Sequence, residues 1–267
     1  MPKQPRKRFR LDLEFDGTRY SGWQSQKDAE TVQGELKKAA AKVLDNSIDI
    51  QGCGRTDRGV HGMNYTAHLE TGITMSPAKL KKDLNKALPH DIAILNLKKA
   101  GDRFHARHNC IARSYVYRFN MVKSVFDRRY SWNQPDLVKR TEMEVAAELL
   151  TGMHDFTSFT EARIVKKKSP MVKVLYSGIS REDDTLIFRI IGSHFLWKMV
   201  RRCAGLLAAV GQGVHEPGEV ELFLKNPGLT DLKHLTAPAK GLFFEQAFFN
   251  EDELQAAIES HSVKSEK

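Results

Sequence analysis

Arg8-Phe9-Arg10-Leu11-Asp12-Leu13-Glu14-Phe15 alternates strictly, with Phe9, Leu11, Leu13 and Phe15 on one side and Arg8, Arg10, Asp12 and Glu14 on the other. Successive strand side chains point to opposite faces, so this period of two predicts a half-buried β-strand. Downstream the period changes. Thr31 is placed to cap a helix whose Val32, Leu36, Ala39 and Val43 fall on one stripe, and Ile48–Ile50 is a short apolar strand. After the loop Gly52–Gly62 comes another strand, Tyr65–Leu69. Ser76-Pro77 then pairs a capping serine with a first-turn proline and opens a helix carrying Leu80, Leu84 and Leu88. Ile92–Leu97 closes the set as a strand. The order is β-α-β-β-α-β, the ferredoxin-like arrangement.

The second half repeats the pattern, though not the residues. Tyr115, Tyr117 and Phe119 alternate along a strand, and Thr141-Glu142-Met143-Glu144 has capping-box spacing for a helix ending near Gly152. Strands are expected at Val172–Tyr176 and Leu186–Ile191, a long apolar helix over about Phe195–Val210, a short one at Val220–Leu224, and a last strand at Leu242–Phe249. Turn signals fall at Pro227-Gly228 and Pro238. The expectation is an α/β (α+β) protein of two domains, residues 1–105 and 106–267.

Hydrophobic residues make up 41% of the 267 and charged residues 28%, which favours a folded protein over a disordered or membrane one. The most apolar run, Cys203–Val210, is shorter than the roughly 20 residues a membrane-spanning helix needs. Met1–Arg8 is basic but runs into the alternating strand instead of the apolar stretch of a signal peptide, and its charge suits an RNA-facing arm. Cys53, Cys110 and Cys203 are odd in number and widely spaced, which predicts a reducing compartment. The net charge of +9, from 42 Lys and Arg against 33 Asp and Glu, puts nucleic acid first among large partners. Lys166-Lys167-Lys168 is a charge run that suits either solvent or an RNA backbone.

The segment richest in chemistry is Gly52-Cys53-Gly54-Arg55-Thr56-Asp57-Arg58-Gly59-Val60-His61-Gly62. Its glycines permit sharp turns that present Arg55 and Asp57 to a ligand, although on spacing alone the aspartate serves equally as a turn residue. It lacks the spacing of a phosphate-cradling P-loop. Gly54–His61 resembles the GRTDxGVH signature of the TruA family of tRNA pseudouridine synthases. Further stretches follow in the family's order. Tyr20–Gln26 looks like its YxGWQxQ, Phe104–Arg107 like its FHAR, Arg113–Tyr117 like the segment carrying its active-site tyrosine, and His154–Phe159 like its DFTSF. Met199–Arg201 resembles its MVR and Ala239–Leu242 its AxGL.

The resemblance implies an isomerase that detaches uracil from ribose, rotates it and rejoins it through carbon 5, with no cofactor and no metal. It implies two ferredoxin-like domains with an active-site cleft between them. Asp57 takes the role of the essential carboxylate, whether it attacks the ribose or the uracil ring or takes a proton from the sugar. Arg201 takes the role of the guanidinium that holds it ionised, and Tyr115 that of the tyrosine stacking on the uracil and accepting the carbon-5 proton through an organised water or its own oxygen; read without the family, the first is a solvated helix end and the second a core aromatic on the Tyr115, Tyr117, Phe119 face. Arg55 resembles the arginine that replaces the flipped base, and Leu242 the apolar pocket residue; a phosphate clamp and a core role are the plain alternatives for these two. The implied substrate is tRNA at uridines 38, 39 and 40 of the anticodon arm, and the implied state a cytoplasmic homodimer. Arg58 departs from the alanine common in bacterial members, which bears on substrate range. Two other readings compete. One is a metal-dependent hydrolase, since His105, His108 and Cys110 crowd together and Cys53 and His61 flank the key loop, but no recognised metal-ligand spacing appears. A non-catalytic RNA-binding protein on a ferredoxin-like scaffold also fits the basic charge, without the Gly-aromatic string of an RRM.

Overall fold

Arg8–Phe15 forms the body of strand β1 (Lys7–Phe15), and its apolar side is buried as the alternation predicts. The polar side is less open than expected. Asp12 is buried too, held by Arg10 Nε at 2.9 Å, Thr66 Oγ1 at 3.0 Å and Asn96 Nδ2 at 3.3 Å. A computed structural model describes residues 7–44, 48–166, 169–228 and 230–262. These divide into two units: the described residues up to Ile111 together with Phe244–Phe249, and Ala112–Phe243 together with those from Asn250 onward.

In the first unit β1 lies between β3 (His61–Thr71) and β4 (Ile92–Ala100), antiparallel to both, and β2 (Ile48–Gly52) pairs antiparallel with β3. Helix α1 (Val32–Leu44) is capped as expected, with the Thr31 hydroxyl accepting from the Gly34 amide at 3.2 Å. Leu44, not the expected Val43, completes its buried stripe. Helix α2 (Pro77–Ala87) opens at Ser76, whose hydroxyl accepts from Lys79 N, and buries Leu80 and Leu84. The far end of the chain contributes as well. Strand β10 (Leu242–Phe248) neighbours β3, Ile111 N donates to Phe248 O at 2.9 Å, and the Phe249 ring lies 4.6 Å from the Arg10 guanidinium.

The second unit has the path β5-β9-β8-β7, formed by Ala112–Asn120, Thr185–Gly192, Met171–Glu182 and Gly152–Asp155, each antiparallel to the next. The two-residue β6 (Trp132–Asn133) runs parallel to the end of β5. Its helices are α3 (Arg140–Glu148), the one-turn α4 (Ala162–Val165), α5 (Met199–Gly211), α6 (Glu219–Lys225) and α7 (Glu251–Ser262). The core gathers around α5, which is buried over nearly all its length.

Three local expectations need correction. Helix α3 starts one residue before Thr141, with Lys139 at its N-cap, because the Val138 and Lys139 amides both donate to Gly211 O and fix the entry. It also ends at Glu148; Gly152, at φ +123°, starts a strand instead of closing the helix. Helix α5 starts at Met199, four residues later than its apolar run, because Lys198 sits in the left-handed region at φ 60° and turns the chain. Helix α7 was not expected at all, although Asn250 caps Glu253 N at 2.8 Å and three acidic residues fill its first turn. None of the described helices is long and apolar enough to cross a membrane.

Two features of this packing can be tested. A Cβ on Gly205 of α5 would stand 1.5 Å from Leu235 O, so Gly205→Ala should lower stability by about 1–3 kcal/mol, read as a drop in the urea midpoint. His68 is buried, accepts from Ala106 N at 3.1 Å, and is kept neutral by burial and then by the nearby charges of His105 and Arg8, which bring it down to about 4 from 6.5. The unfolded chain therefore binds the extra proton first. Stability should be full above about pH 6.5 and fall as the pH drops toward about 4, and the fall should be shallower in His68→Gln when urea midpoints are compared across that range.

Candidate active site

The loop bearing Asp57 connects β2 to β3, and its ends are tied before its tip is free to choose a conformation. Cys53 N donates to Thr66 O at 2.9 Å. The Tyr65 hydroxyl donates to Gly54 O and accepts from Gly54 N at 3.3 Å. Its ring stacks on Trp23 with centroids 4.2 Å apart, and meets Phe15 at 5.7 Å and Phe244 at 4.9 Å. Gly52 has to be glycine, since a Cβ there would lie 2.0 Å from the Tyr65 hydroxyl.

The Gly17–Gln24 segment braces the loop from outside. Trp23 N donates to Thr56 O at 3.4 Å and Gly59 N to Tyr20 O at 3.2 Å. Gly22, at φ +90°, brings the two backbones so close that a Cβ would stand 2.2 Å from Thr56 O. Val60 N closes on Asp57 O at 3.2 Å, and Gly59 at φ +78° lets it. Beneath the loop the buried His61 accepts from Gly17 N at 3.1 Å and lies 3.1 Å from the Asp16 carboxylate. Asp57 is half-buried, while Arg55 and Arg58 on either side of it are exposed. A half-buried carboxylate on a fixed backbone flanked by exposed guanidiniums suits chemistry on a polyanion.

Tyr115, Arg201 and Leu242 belong to the second unit. Tyr115 is buried on β5 opposite Ile190, and the Phe195 ring meets it edge-on at 5.2 Å. Arg201, half-buried in the first turn of α5, donates from Nε to Ala237 O at 2.7 Å, and its own carbonyl accepts from Ala237 N at 3.1 Å. This double link aims the guanidinium. Tyr117 donates to Pro238 O at 2.8 Å, and burial drives its phenol well above the usual range against a small opposing pull from Arg201. Gly241 leaves room for that ring, since a Cβ would be 2.7 Å from it. Leu242 follows, buried at the start of β10.

The remaining motifs are supports. In Phe104–Arg107 the His105 ring accepts from the Arg107 and His108 amides and packs on His68 at 4.6 Å. In Thr157–Phe159, a 3-10 turn, Ser158 O and Thr160 O flanking Phe159 accept from Arg202 Nη1 at 3.5 and 2.7 Å. Arg202, fully buried and paired with Asp231 at 3.0 Å, went unnoticed in the sequence because it stands beside Arg201 like any solvated helix residue. Among the described residues no group of three or more His, Cys, Asp and Glu is arranged to hold a metal ion. Lys166 is exposed; Lys167, Lys168 and Met1–Arg6 lie outside the described residues.

Comparison with known proteins agrees with the motifs. The chain is 37% identical over 237 residues to tRNA pseudouridine synthase A 1 of Clostridium tetani, covering 88% of this chain and 96% of the relative. It is 35% identical over 245 residues to tRNA pseudouridine synthase A 2 of Bacillus cereus, covering 90% and 99%, and 34% identical to tRNA pseudouridine synthase A of Zymomonas mobilis, covering 91% and 99%. A sequence model described as tRNA pseudouridine synthase matches residues 13–109 and 146–250, which take in both the Asp57 loop and Arg201. The chain therefore belongs to the tRNA pseudouridine synthase family.

Proposed function

We propose that the chain isomerises uridine to pseudouridine at positions 38, 39 and 40 of the tRNA anticodon arm, with Asp57 as the essential carboxylate. The observation that carries this reading is the braced loop: in a chain of this family, a segment pinned by close backbone approach and backbone hydrogen bonds is the one that presents Asp57. The bond from ribose C1′ to uracil N1 breaks, a bond from C1′ to C5 forms, the C5 proton leaves, and N1 gains a proton. Nothing is oxidised or reduced and no group is donated from outside, so the reading invokes no cofactor. Arg201, aimed by Ala237, takes the role of the guanidinium that keeps the essential carboxylate ionised; Tyr115 meets the uracil and takes part in moving the C5 proton; Arg55 fills the gap left by the flipped base and Leu242 lines the pocket.

The two units are proposed as two ferredoxin-like domains. The first supports this with its β-α-β-β-α-β order and with β1 central between β3 and β4. A homodimer and a cytoplasmic location belong to the same reading.

Asp57→Asn nearly preserves shape and removes the charge, so tRNA binding should survive while turnover falls by at least about a thousand-fold. Pseudouridine has the mass of uridine, so the readout is tritium released from tRNA labelled at uridine carbon 5. Wild-type protein that binds tRNA but releases none would favour a non-catalytic RNA-binding role. Tyr115→Phe deletes one oxygen and keeps the ring. If that oxygen moves the proton, release should slow by about a hundred- to ten-thousand-fold at saturating tRNA; a loss of only a few-fold would leave Tyr115 as a stacking platform.

A further inference from the structure

The turn between β9 and α5 holds an arrangement that the chemistry above does not use. Phe195 in this turn touches Tyr115, and Arg201 stands in the helix that follows. Between them, the Trp197 ring has two cations over it: the Arg163 guanidinium carbon 4.8 Å from its centroid and Lys198 Nζ 4.1 Å. The indole is fixed through its backbone, since Thr160 Oγ1 donates to Trp197 O at 3.0 Å. Arg163 is shared with Glu161 at 2.6 Å and remains largely exposed. Lys198 has no ion-pair partner among the described residues.

Each cation is attracted by the ring, but two like charges held near one indole repel each other, and an anion close to both lowers that repulsion. A second observation, from the backbone, falls at the same place. Lys198 is one of two described non-glycine residues at positive φ, the other being Asp183 in the β8–β9 hairpin. An L-residue held there is strained, and such strain concentrates where a binding site is pre-formed.

We propose that Arg163, Trp197 and Lys198 bind a backbone phosphate of the tRNA next to the uridine being modified, an inference that rests on the functional reading above. The Arg fork and the Lys ammonium are the two side chains suited to a phosphodiester, and the indole supplies a face for an adjacent sugar or unpaired base. The contact of Phe195 with Tyr115 puts the cluster beside the residue assigned to the uracil.

The test uses unmodified tRNA and the variants Arg163→Gln, Lys198→Gly and their double. Glycine accepts positive φ, so Lys198→Gly removes the ammonium without adding strain, and the melting temperature should hold or rise. The double variant should bind tRNA roughly three- to ten-fold more weakly, and the slope of log affinity against log salt should fall by about 1 to 2, the loss of one or two phosphate contacts. KM should rise with kcat little changed, and Lys198→Arg should recover most of the affinity. Wild-type affinity and salt slope in the double variant would overturn the proposal. So would a fall in kcat at unchanged KM, which would make the turn a positioning element for Arg201. Failure of the functional reading is seen separately, as wild-type protein releasing no tritium.

Discussion

Tyr65 stands where β3 leaves the Asp57 loop, and its hydroxyl both donates to and accepts from the backbone of Gly54. Loops ordinarily buy their shape from solvent-exposed contacts that open easily. Here the anchoring phenol is fully buried among Trp23, Phe15 and Phe244, so moving the loop means disrupting an aromatic core. Gly52 and Gly22 complete the constraint by letting a ring and a backbone approach closer than any Cβ allows. The Tyr20–Gln26 motif thus acts on the Asp57 loop: its backbone is the outer wall against which Thr56 and Gly59 are hydrogen-bonded.

The second unit solves a similar problem with a charge. Arg202 is wholly buried, and one nitrogen, Nη1, reaches Ser158 O, Thr160 O and Asp231. Its Nε and Nη2 have no partner among the described residues, which makes this a costly support compared with an apolar side chain of equal volume. What it gives in return is direction. It ties the 3-10 turn at Thr157–Phe159 and the Asp231 region to α5, the helix that also carries Arg201. Adjacent arginines on one helix thereby divide the work, one fixed inside the unit and one aimed by Ala237.

The first unit was largely legible because its signals are local. A period of two in Arg8–Phe15, a capping threonine, and a serine followed by proline each act within a turn or a strand, and each stands where it was read. The second unit was harder because distant contacts override local preference. Gly211 O captures the amides that set the start of α3, and the positive φ of Lys198 cuts Phe195, Leu196 and Trp197 from α5. In the site, Asp57 and Arg55 announced themselves through the glycines around them. The burial of Asp12 and Arg202 did not, since a charged residue carries no mark in sequence of the partners that make burial tolerable.

The chain leaves the first unit at Ile111 and returns to it with Phe244–Phe249 before leaving again. That return makes the first unit discontinuous, and it has a consequence for synthesis. While the N-terminal half emerges from the ribosome, β3 lacks the neighbour it has in β10, and Tyr65 lacks the ring of Phe244. β3 then pairs with β1 and β2 alone, and the part of it that β10 covers is an open edge that invites mispairing. The Asp57 loop can be fully seated only after nearly the whole polypeptide has been made, so completion of that loop is coupled to completion of the chain.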